Sequence, residues 1–597
     1  MCGFIGKISF KQISKNELEI PNKRLTCRGP DSCVSDFYTG EDINYEIFFN
    51  RLTILDLSDK ANQPMASKDN NSILMFNGEI FNHGELRKDL EKKRIKFFTN
   101  NSDTETILNG LNYYGVSFIE KLRGQFAIFY LNKKEKRIVL ARDRLGQKPL
   151  YYKLDKESII FSSNLISLLE LEGSYSINEE EVVNYLKYGI VSSPNTLFKD
   201  FKKLLPSQII QLNYENNRFH KDENKYWDTS EKVDNKKFDK DEFFSLFSES
   251  INLRLNADVP VANFLSGGID STSIVKNLYD SDQKINTFSV NVSNKKYDES
   301  KWSDLAAEKY ETNHVSIELS SEIETADIEN ALGSLDEPYS DPSVVPSYLL
   351  SREISNYFKV AISGDGGDEL LGGYKRVVNT INSKSNLSKY SSYLYSLYPS
   401  FLGTGNYFLS RDKNKSTAYR SYLEDQKFLD LLEVKNNSIE GKIEIPKNEN
   451  FYKSLLQAEY KFYLPEMMMY KIDRTSMANS LEIRSPFVDH LLIEYMLSHD
   501  TDYYDSRSPK KLLKEYLYGD LGTDFVQRPK QGFVFDIENW IYKNNDMIKE
   551  NLFNGSVSKM FNIKKLNLLS FNKSRINAHR IWKIFVLENY LSRLRIL

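Results

Sequence analysis

The chain has 597 residues, 40% hydrophobic and 27% charged, a composition typical of folded globular proteins. This length exceeds what one hydrophobic core usually supports, so we expect two or more domains. The formal net charge is −3, from 80 basic and 83 acidic residues, and this balance argues against a nucleic-acid-binding surface.

The cysteines are few and clustered. All three, Cys2, Cys27 and Cys33, lie near the start of the chain. An odd number confined to one end argues against a disulfide framework and favours a reducing cytoplasm. CxxC and HExxH spacings are absent, which argues against a zinc site. Neither a run of ~20 apolar residues nor a signal-peptide pattern occurs, so we expect a cytoplasmic protein without a membrane partner.

Short apolar segments dominate the first part of the chain. They predict strands at 3–10, 46–55, 72–76, 126–131, 137–141 and 159–162. Helical spacing predicts helices over 84–93 and 103–114, the second with Asp103 as its N-cap. This order suits an α+β domain with two layers of antiparallel sheet flanked by helices.

The pattern changes after a polar stretch over 215–240, which predicts a linker. Helical periodicity follows over 243–255, and apolar runs at 259–265, 287–292 and 359–363 predict buried parallel strands. We therefore predict one domain over 1–214, a linker over 215–240, and an α/β domain over 241–597 whose later part is largely helical.

Cys2 directly follows the initiator methionine. If Met1 is removed, Cys2 carries both a thiol and the α-amine of the chain. A free α-amine has a pKa of about 7.7–8.0, so it can take the thiol proton and return it to a leaving group. The alternative is an incidental small residue after the start codon. Cys2 is thus a candidate nucleophile.

A glycine-rich loop connects a predicted strand to a helix expected to begin near Thr272; it reads Leu265-Ser266-Gly267-Gly268-Ile269-Asp270-Ser271. Glycines at such a turn let backbone N–H groups approach a phosphate, and the helix N-terminus adds partial positive charge. The serines offer hydroxyl donors and Asp270 offers a carboxylate for Mg²⁺. A plain glycine-rich turn is the alternative, and Walker A spacing is absent. The motif resembles the loop of ATP pyrophosphatases.

A second, acidic loop reads Ser363-Gly364-Asp365-Gly366-Gly367-Asp368-Glu369. Its three carboxylates repel one another unless a cation such as Mg²⁺ compensates, and a solvated acidic turn is the alternative. Ligands of open α/β sheets bind at the carboxyl ends of strands, so both loops should border one crevice. The basic candidates to face a departing pyrophosphate are Arg474, Lys510, Arg528 and Lys530, each of which can equally be a surface charge. Glu482 and Arg484 are spaced to pair with each other.

These motifs together resemble those of the glutamine-hydrolysing asparagine synthetases. MCGFIG, RGPD, RLTILD, NGEIFN, SDTE, RDRLGQKPLYY, SGGIDS, DEPYSDPS, SGDGGDELLGGY and RPKQGF occur in the family's order, over nearly all of the chain. The resemblance implies a class II glutaminase domain, an αββα sandwich of the N-terminal-nucleophile hydrolase type, followed by an ATP-pyrophosphatase-type synthetase domain. It also implies ATP as co-substrate, Mg²⁺, no zinc, flavin or nicotinamide, and a homodimer.

The resemblance assigns roles in the first domain. Cys2 matches the nucleophile, and Asn77 and Gly78 match the pair that stabilises the oxyanion. Arg51 matches the arginine that holds the glutamine α-carboxylate, while Glu79 and Asp103 match residues that hold the α-amino group. The implied glutamine-binding residues are Arg51, Leu52, Ile54, Asn77, Gly78, Glu79 and Asp103.

It also assigns roles in the second domain. Asp270 and Asp368 match Mg²⁺ carboxylates, and Asp365 matches a carboxylate that assists attack by ammonia on an acyl-adenylate. The implied ATP-binding residues are Leu265, Ser266, Gly267, Gly268, Asp270, Ser271, Val290, Ser363, Gly364, Arg474 and Lys510. Two positions depart from the family pattern: Cys27 replaces a usual histidine, and Asn164 replaces a usual glutamate.

The implied reaction is ATP-dependent amidation of aspartate, with ammonia from glutamine, through a β-aspartyl-adenylate. Ammonia must travel as neutral NH₃, so we expect a shielded passage lined by apolar and uncharged groups. One alternative is the same machinery acting on another carboxylate, such as a sugar uronic acid in polysaccharide biosynthesis. A second is a non-catalytic regulatory homologue, which the intact Cys2, Arg51, Asn77, Asp103, Asp270 and Asp368 disfavour.

Overall fold

The computed structural model describes residues 2–292, 300–319, 323–383, 390–434, 443–528, 535–566, 569 and 573–594, with backbone alone at 290–292 and 319. The predicted candidate Lys530 and the side chain of Val290 lie outside the described residues.

Two antiparallel sheets, each with six strands in the described part of the chain, form the N-terminal domain. Their strands are β1 Gly3–Ser9, β2 Ser32–Thr39, β3 Asn44–Arg51, β4 Met65–Ala66, β5 Ser72–Ile80, β6 Gly124–Asn132, β7 Arg137–Arg142, β8 Tyr151–Leu154, β9 Ser158–Ser162, β10 Lys202–Lys203, β11 Gln208–Glu215 and β12 Arg218–Lys225. The strand orders are β10-β8-β9-β1-β3-β2 and β12-β11-β7-β6-β5-β4. Five helices accompany them: α1 Glu19–Asn22, α2 His83–Lys92, α3 Asp103–Tyr114, α4 Leu165–Glu172 and α5 Glu179–Tyr188.

The two sheets pack face to face between layers of helix. Alternation along β1 places Phe4 between the sheets, in one cluster with Met75 of β5. Its neighbour Ile5 faces the other way and belongs to the cluster that contains Leu168 of α4. On the outer face of β5, Phe76 packs with residues of α3. These contacts give the αββα sandwich expected from the sequence.

The polar stretch predicted as a linker contains an edge strand. Strand β12 pairs antiparallel with β11, with Gln208 opposite Lys225. Nearly all of its residues are exposed, because an edge strand can present both faces to solvent. This polarity explains the wrong prediction of a linker over 218–225, and the segment between β12 and the next long helix covers 226–239.

A parallel sheet, with five strands in the described ranges, forms the centre of the C-terminal domain. Its strands are β13 Val261–Phe264, β14 Asn286–Val292, β15 Asn313–Leu319, β16 Val360–Ile362 and β17 Glu482–Arg484, in the order β15-β14-β13-β16-β17. The strand order reverses between β13 and β16, so a crevice opens at their carboxyl ends. Both predicted loops follow these two strands directly.

Helices cover this sheet and form most of the later chain. The first ones are α6 Lys240–Arg254, α7 Ile269–Asp280, α8 Ser300–Lys309, α9 Thr325–Gly333, α10 Val344–Ser355, α11 Gly367–Leu371, α12 Lys375–Asn382, α13 Ser391–Leu397, α14 Asn406–Leu409, α15 Lys415–Arg420, α16 Gln426–Leu431 and α17 Phe451–Ala458. A π-helix over Glu459–Met469 leads into α18 Tyr470–Met477, α19 His490–Ser498, α20 Lys511–Gln527, α21 Ile537–Lys543, α22 Asn545–Asn554, α23 Val557–Met560 and α24 Arg575–Leu594. Among the helices of the described ranges, none has the length and apolar content needed to cross a bilayer.

Candidate functional site

Cys2 lies at the start of β1, where it is buried at 7% exposure. Its backbone N donates to Oδ1 of Asn77 at 3.1 Å, and its carbonyl oxygen accepts from Nε of Arg28 at 3.1 Å. Burial raises the pKa of the Cys2 thiol, so the thiol is protonated near neutral pH and needs a base before it can attack. An α-amine on the same residue would supply that base.

Asn77 and Gly78 lie side by side in β5, next to Cys2. The Oδ1 of Asn77 already accepts from Cys2, while its buried Nδ2 has no hydrogen-bond partner among the described residues. A Cβ at Gly78 would lie 2.0 Å from the carbonyl oxygen of Gln125, so only glycine permits this close approach to β6. A buried amide donor without an acceptor suits a negatively charged oxygen that forms only during reaction.

Glu79 and Asp103 line the same pocket as Cys2. Oε1 of Glu79 has no partner among the described residues. Burial raises the pKa of both carboxyls, that of Asp103 to about 6. The prediction of Asp103 as the N-cap of α3 is wrong, because Asp103 is the first residue of the helix. Its Oδ2 accepts from the backbone N of Ile80 in β5 at 3.2 Å. Acidic groups in a buried pocket suit an ammonium ligand.

Arg51 ends β3 and also lines this pocket, together with Leu52 and Ile54. Its Nη1 and Nη2 atoms donate to the carbonyl oxygens of Ser58, Leu55 and Asp56 and to Oδ1 of Asn62. These bonds fix the plane of the guanidinium. A fixed guanidinium at a pocket wall is suited to bind a carboxylate.

The structure also places at this pocket a residue that the sequence predicted only as a member of an ion pair. The side chain of Glu482, from β17 of the C-terminal domain, lines the pocket of Cys2. Arg484 donates through Nε to Oε1 of Glu482 at 2.6 Å, which is the pairing expected from their spacing. The same guanidinium lies 3.2 Å from Oε2 of Glu79. Only the fold brings positions 79 and 482 together, so local sequence carried no signal for this contact.

The first predicted phosphate loop joins β13 to α7, which begins at Ile269, before the expected Thr272. The hydroxyl oxygens of Ser266 and Ser271 lie 3.2 Å apart, and Ser266 Oγ accepts from the backbone N of Gly268 at 3.3 Å. Leu265 anchors the loop by donating from its backbone N to the carbonyl oxygen of Phe288 at 2.7 Å. A Cβ at Gly267, where φ is +69°, would lie 2.7 Å from the backbone N of Ser303. The loop therefore requires glycine there.

A buried lysine joins the two loops. Nζ of Lys510 contacts Oδ2 of Asp270 and lies 2.7 Å from Oδ1 of Asp368. Burial lowers the pKa of Lys510, but the two carboxylates raise it by more, so the side chain stays charged. The structure thus brings together three of the residues predicted for ATP and Mg²⁺. Arg528, a further basic candidate, donates to the carbonyl oxygen of Gly267 in the first loop.

The same carboxylates suit Mg²⁺. Asp270 and Asp368 converge on one cation, Lys510, which shows that this point attracts positive charge. The described residues contain no group of three or more histidine, cysteine or acidic side chains that could hold a metal alone. Mg²⁺ commonly binds through one or two carboxylates together with substrate phosphates, so this pair fits it.

The second loop contacts both the first loop and β17. A Cβ at Gly364 would lie 2.9 Å from the backbone N of Ser271, so the two loops touch. Ser363 donates from its backbone N to the carbonyl oxygen of Arg484 at 3.0 Å, and its hydroxyl lies 3.0 Å from that of Ser485. Asp365 is half-buried and makes no hydrogen bond or ion pair with the described residues.

Arg474 lies elsewhere, contrary to its predicted place facing pyrophosphate. Its Nε donates to Oδ2 of Asp336 at 2.9 Å, and its Nη2 donates to the hydroxyl of Tyr151 in β8 at 2.9 Å. None of its described contacts is with the two loops. The arginine belongs to the junction of the two domains, because α18 directs this position toward the first sheet.

Further ion pairs and a small cavity lie at that junction. Asp473 pairs with Arg28 at 2.9 Å and with Lys148 at 3.4 Å, and these cations hold its pKa well below its usual range although burial raises it. The cavity is lined by Gln125, Gln147, Lys148, Met469, Ile472, Asp473, Ser476, Ile483 and Ser485. The cavity therefore has the Lys148–Asp473 ion pair beside its apolar and uncharged lining residues.

Asn164 and Cys27, the two positions that depart from the family pattern, also lie near the junction of the two domains. Asn164 caps α4 by accepting from the backbone N of Ser167 at 3.0 Å, and its amide contacts Asp336 of the other domain. Cys27 is exposed, and its carbonyl oxygen accepts from the hydroxyl of Ser480 at 2.6 Å. Both substitutions therefore sit at contacts between the domains.

Comparison with known proteins agrees with this two-part layout. Residues 242–585 match the family model for asparagine synthase, and residues 1–227 match that for a glutamine amidotransferase domain. The glutamine-hydrolyzing asparagine synthetase 1 of Bacillus subtilis is 28% identical, covering 98% of this chain and 96% of its own. A putative glutamine-hydrolyzing asparagine synthetase 2 of Methanocaldococcus jannaschii is 32% identical over an alignment that covers 64% of this chain and 76% of the relative.

More distant similarities were also found. Amidase chyE of Penicillium rubens is 27% identical, covering 75% of this chain and 73% of its own. A solved glutamine phosphoribosylpyrophosphate amidotransferase from B. subtilis is 13% identical, covering 44% and 60%, with a TM-score of 0.29, which is too low to carry an argument. On the family matches, the chain belongs to the asparagine synthase family and carries a glutamine amidotransferase domain at its N-terminal end.

Proposed function

We propose that this chain converts aspartate to asparagine, using ATP and ammonia from glutamine, and releases AMP, pyrophosphate and glutamate. The observation that carries the proposal is the position of β17. Glu482 of this strand lines the pocket of Cys2, while the carbonyl oxygen of Arg484 accepts from Ser363 in the second loop. Two reaction centres thus share one short strand. Aspartate as the acceptor rests on the names of the relatives.

The first half-reaction takes place at Cys2. After removal of Met1, the α-amine accepts the thiol proton and the sulfur attacks the side-chain amide carbon of glutamine. Asn77 Nδ2 donates to the oxyanion of the tetrahedral intermediate. The proton returns to the departing nitrogen, which leaves as NH₃, and a thioester remains on Cys2. Water then attacks the thioester, releasing glutamate and the thiol.

The second half-reaction takes place at the two loops. Attack of the acceptor carboxylate on the α-phosphorus of ATP forms an acyl-adenylate and releases pyrophosphate. Lys510 neutralises charge on the departing pyrophosphate, and the backbone of Gly267 and Gly268 approaches the phosphates. Bound Mg²⁺, held by Asp270 and Asp368, would compensate phosphate charge. NH₃ then attacks the acyl carbon, AMP leaves, and Asp365 accepts the surplus proton.

Ammonia would move between the centres inside the protein. The junction cavity extends from Gln125, which donates to Glu482 at 3.3 Å, to Ser485, which contacts Ser363. NH₃ keeps the lone pair that the second step needs only if it stays unprotonated, and enclosure limits its contact with water. We also propose a cytoplasmic location, because the three cysteines are free thiols.

The experiment that tests the acceptor measures ATP-dependent pyrophosphate release with single carboxylates and without any nitrogen donor. We expect aspartate to trigger release, and glutamate, glucuronate and galacturonate not to do so. Release with a uronic acid but not with aspartate would replace the proposed acceptor. No release with any carboxylate, under conditions where glutamine is hydrolysed, would contradict the synthetase half of the proposal.

Removing the free amide donor should slow glutamine hydrolysis. We expect Asn77→Ala to lower kcat for glutamate release by about 10²- to 10³-fold, because the oxyanion loses a preorganised donor. The change in glutamine KM should be small. Asn71→Ala, at a half-buried bend that precedes β5, is the control and should leave kcat unchanged. An Asn77→Ala variant with the wild-type kcat would exclude the oxyanion role.

Glutamine use should weaken in mild acid. Burial raises the pKa of Asp103 to about 6, so this carboxyl is charged above that pH and neutral below it. Only the charged form attracts the α-ammonium group. Protonation of the Cys2 α-amine, the proposed base, already lowers kcat/KM for glutamine by about tenfold per pH unit below about pH 7.7. Protonation of Asp103 should steepen this fall to about a hundredfold per pH unit below pH 6. A profile of glutamate release whose slope stays the same from about pH 7 to pH 5 would show that Asp103 does not control binding.

A further inference from the structure

We infer that Glu482, a residue of the synthetase domain, completes the binding site for the α-ammonium group of glutamine. The inference rests on the proposed glutamine hydrolysis. It assigns part of the substrate specificity of one domain to a side chain of the other.

The geometry places Glu482 with the residues expected to hold that ammonium group. Its side chain is fully buried and lines one pocket with Cys2, Glu79 and Asp103. Gln125 of β6 orients it by donating through Nε2 to Oε1 at 3.3 Å. Three carboxyl groups, two from the first domain and one from the second, therefore border the same small space.

Arg484 keeps these acidic groups together. It donates through Nη1 to the carbonyl oxygens of Arg254 and Asn256, at 2.9 and 2.7 Å, which fixes its position. From there it contacts both Glu482 and Glu79. One guanidinium thus holds a carboxyl group from each domain at the pocket.

The charge of Glu482 favours an ammonium ligand. Arg484 and other nearby cations, Lys148 among them, lower the pKa of Glu482 to about 2 although burial raises it, so Glu482 is charged at working pH. A charged carboxylate on the pocket lining repels a second anion and attracts an ammonium group. Arg51 lines the same pocket, where it suits the carboxylate of the same amino acid. An α-amino acid bound by both ends fits this arrangement.

The experiment compares glutamine with glutaramate, which has the same amide and carboxylate but lacks the α-amino group. Wild-type protein should prefer glutamine in kcat/KM. We expect Glu482→Gln to raise the glutamine KM by about tenfold, with kcat little changed and glutaramate use unaffected. Glu482→Asp should keep the preference, because it retains the charge. Synthesis from free ammonia should stay within about twofold of wild type, which shows that the fold is intact.

The matched control is Asp489→Asn. Asp489 is also a buried synthetase-domain carboxylate that pairs across the junction, with Arg123 at 2.9 Å, but it does not line the pocket. This variant should keep the wild-type glutamine KM. If Glu482→Gln keeps the wild-type preference, or weakens both substrates equally, the inference is wrong while the proposed function stands. Wild-type protein that releases no glutamate from glutamine would overturn both.

Discussion

Replacing Cys2 with alanine is expected to abolish glutamine-dependent amidation, by at least about 10⁴-fold, because removal of a covalent nucleophile leaves only residual catalysis. Amidation supported by free ammonia should stay within about twofold of wild type. Cys2 is buried between the sheets of the first domain, whereas Lys510, Asp270 and Asp368 lie in the second. The measurement is asparagine formation with each nitrogen donor in turn.

Cys33→Ala provides the control for this change. Cys33 is an exposed cysteine of β2 whose sulfur accepts from Nδ2 of Asn22 at 3.3 Å. We expect this variant to keep both activities. If Cys2→Ala removed ammonia-dependent synthesis as well, the division of labour between the domains would be refuted. Mass spectrometry of the wild-type protein should show an N-terminal cysteine, because retained Met1 would block the α-amine.

Replacing Lys510 with methionine is expected to lower pyrophosphate release by at least about 10³-fold while basal glutamine hydrolysis continues. The lysine is the charged group on which Asp270 and Asp368 converge. Without it, two half-buried carboxylates face each other and the incoming phosphates, which weakens binding of both ATP and the departing pyrophosphate. The measurements are acceptor-dependent pyrophosphate release and glutamate release from glutamine.

The adjacent lysine offers a matched control. Lys511 is 45% exposed and lies 3.8 Å from Glu515 on the surface of α20. Lys511→Met removes the same charge one position away and should leave both half-reactions unchanged. Equal losses in the two variants would show that general charge near α20, and not the contact with Asp270 and Asp368, supports the reaction.

Features fixed by local sequence were predicted well. The loop between β13 and α7 was predicted from its glycine and serine residues after an apolar strand, and Ser266, Gly267 and Ser271 do lie at such a turn. Strands of the first domain followed from short apolar segments, as in β1, where the consecutive residues Phe4 and Ile5 are each buried in a core. Lys510 was also assigned to this site, where it now contacts both acidic residues.

Features fixed by distant contacts were missed. Strand β17 has three residues, too few for a periodic signal, and β12 is a polar edge strand that resembles a linker. The direction of Arg474 on α18 depends on the packing of two domains, so its motif did not reveal its partners. Likewise, Asp103 has the residue type of a helix cap, but its carboxylate bonds to β5.

The short strand β17 has a consequence for building chimaeras from members of this family. Its residue Glu482 lines the pocket of Cys2, and its backbone accepts from Ser363 at the start of the second loop. If the N-terminal domain were produced alone, Glu79 would be exposed to water and would lose its contact with Arg484. A domain exchange that keeps glutamine recognition must therefore transplant residues 482–484 with the N-terminal part, even though they lie far from it in the chain.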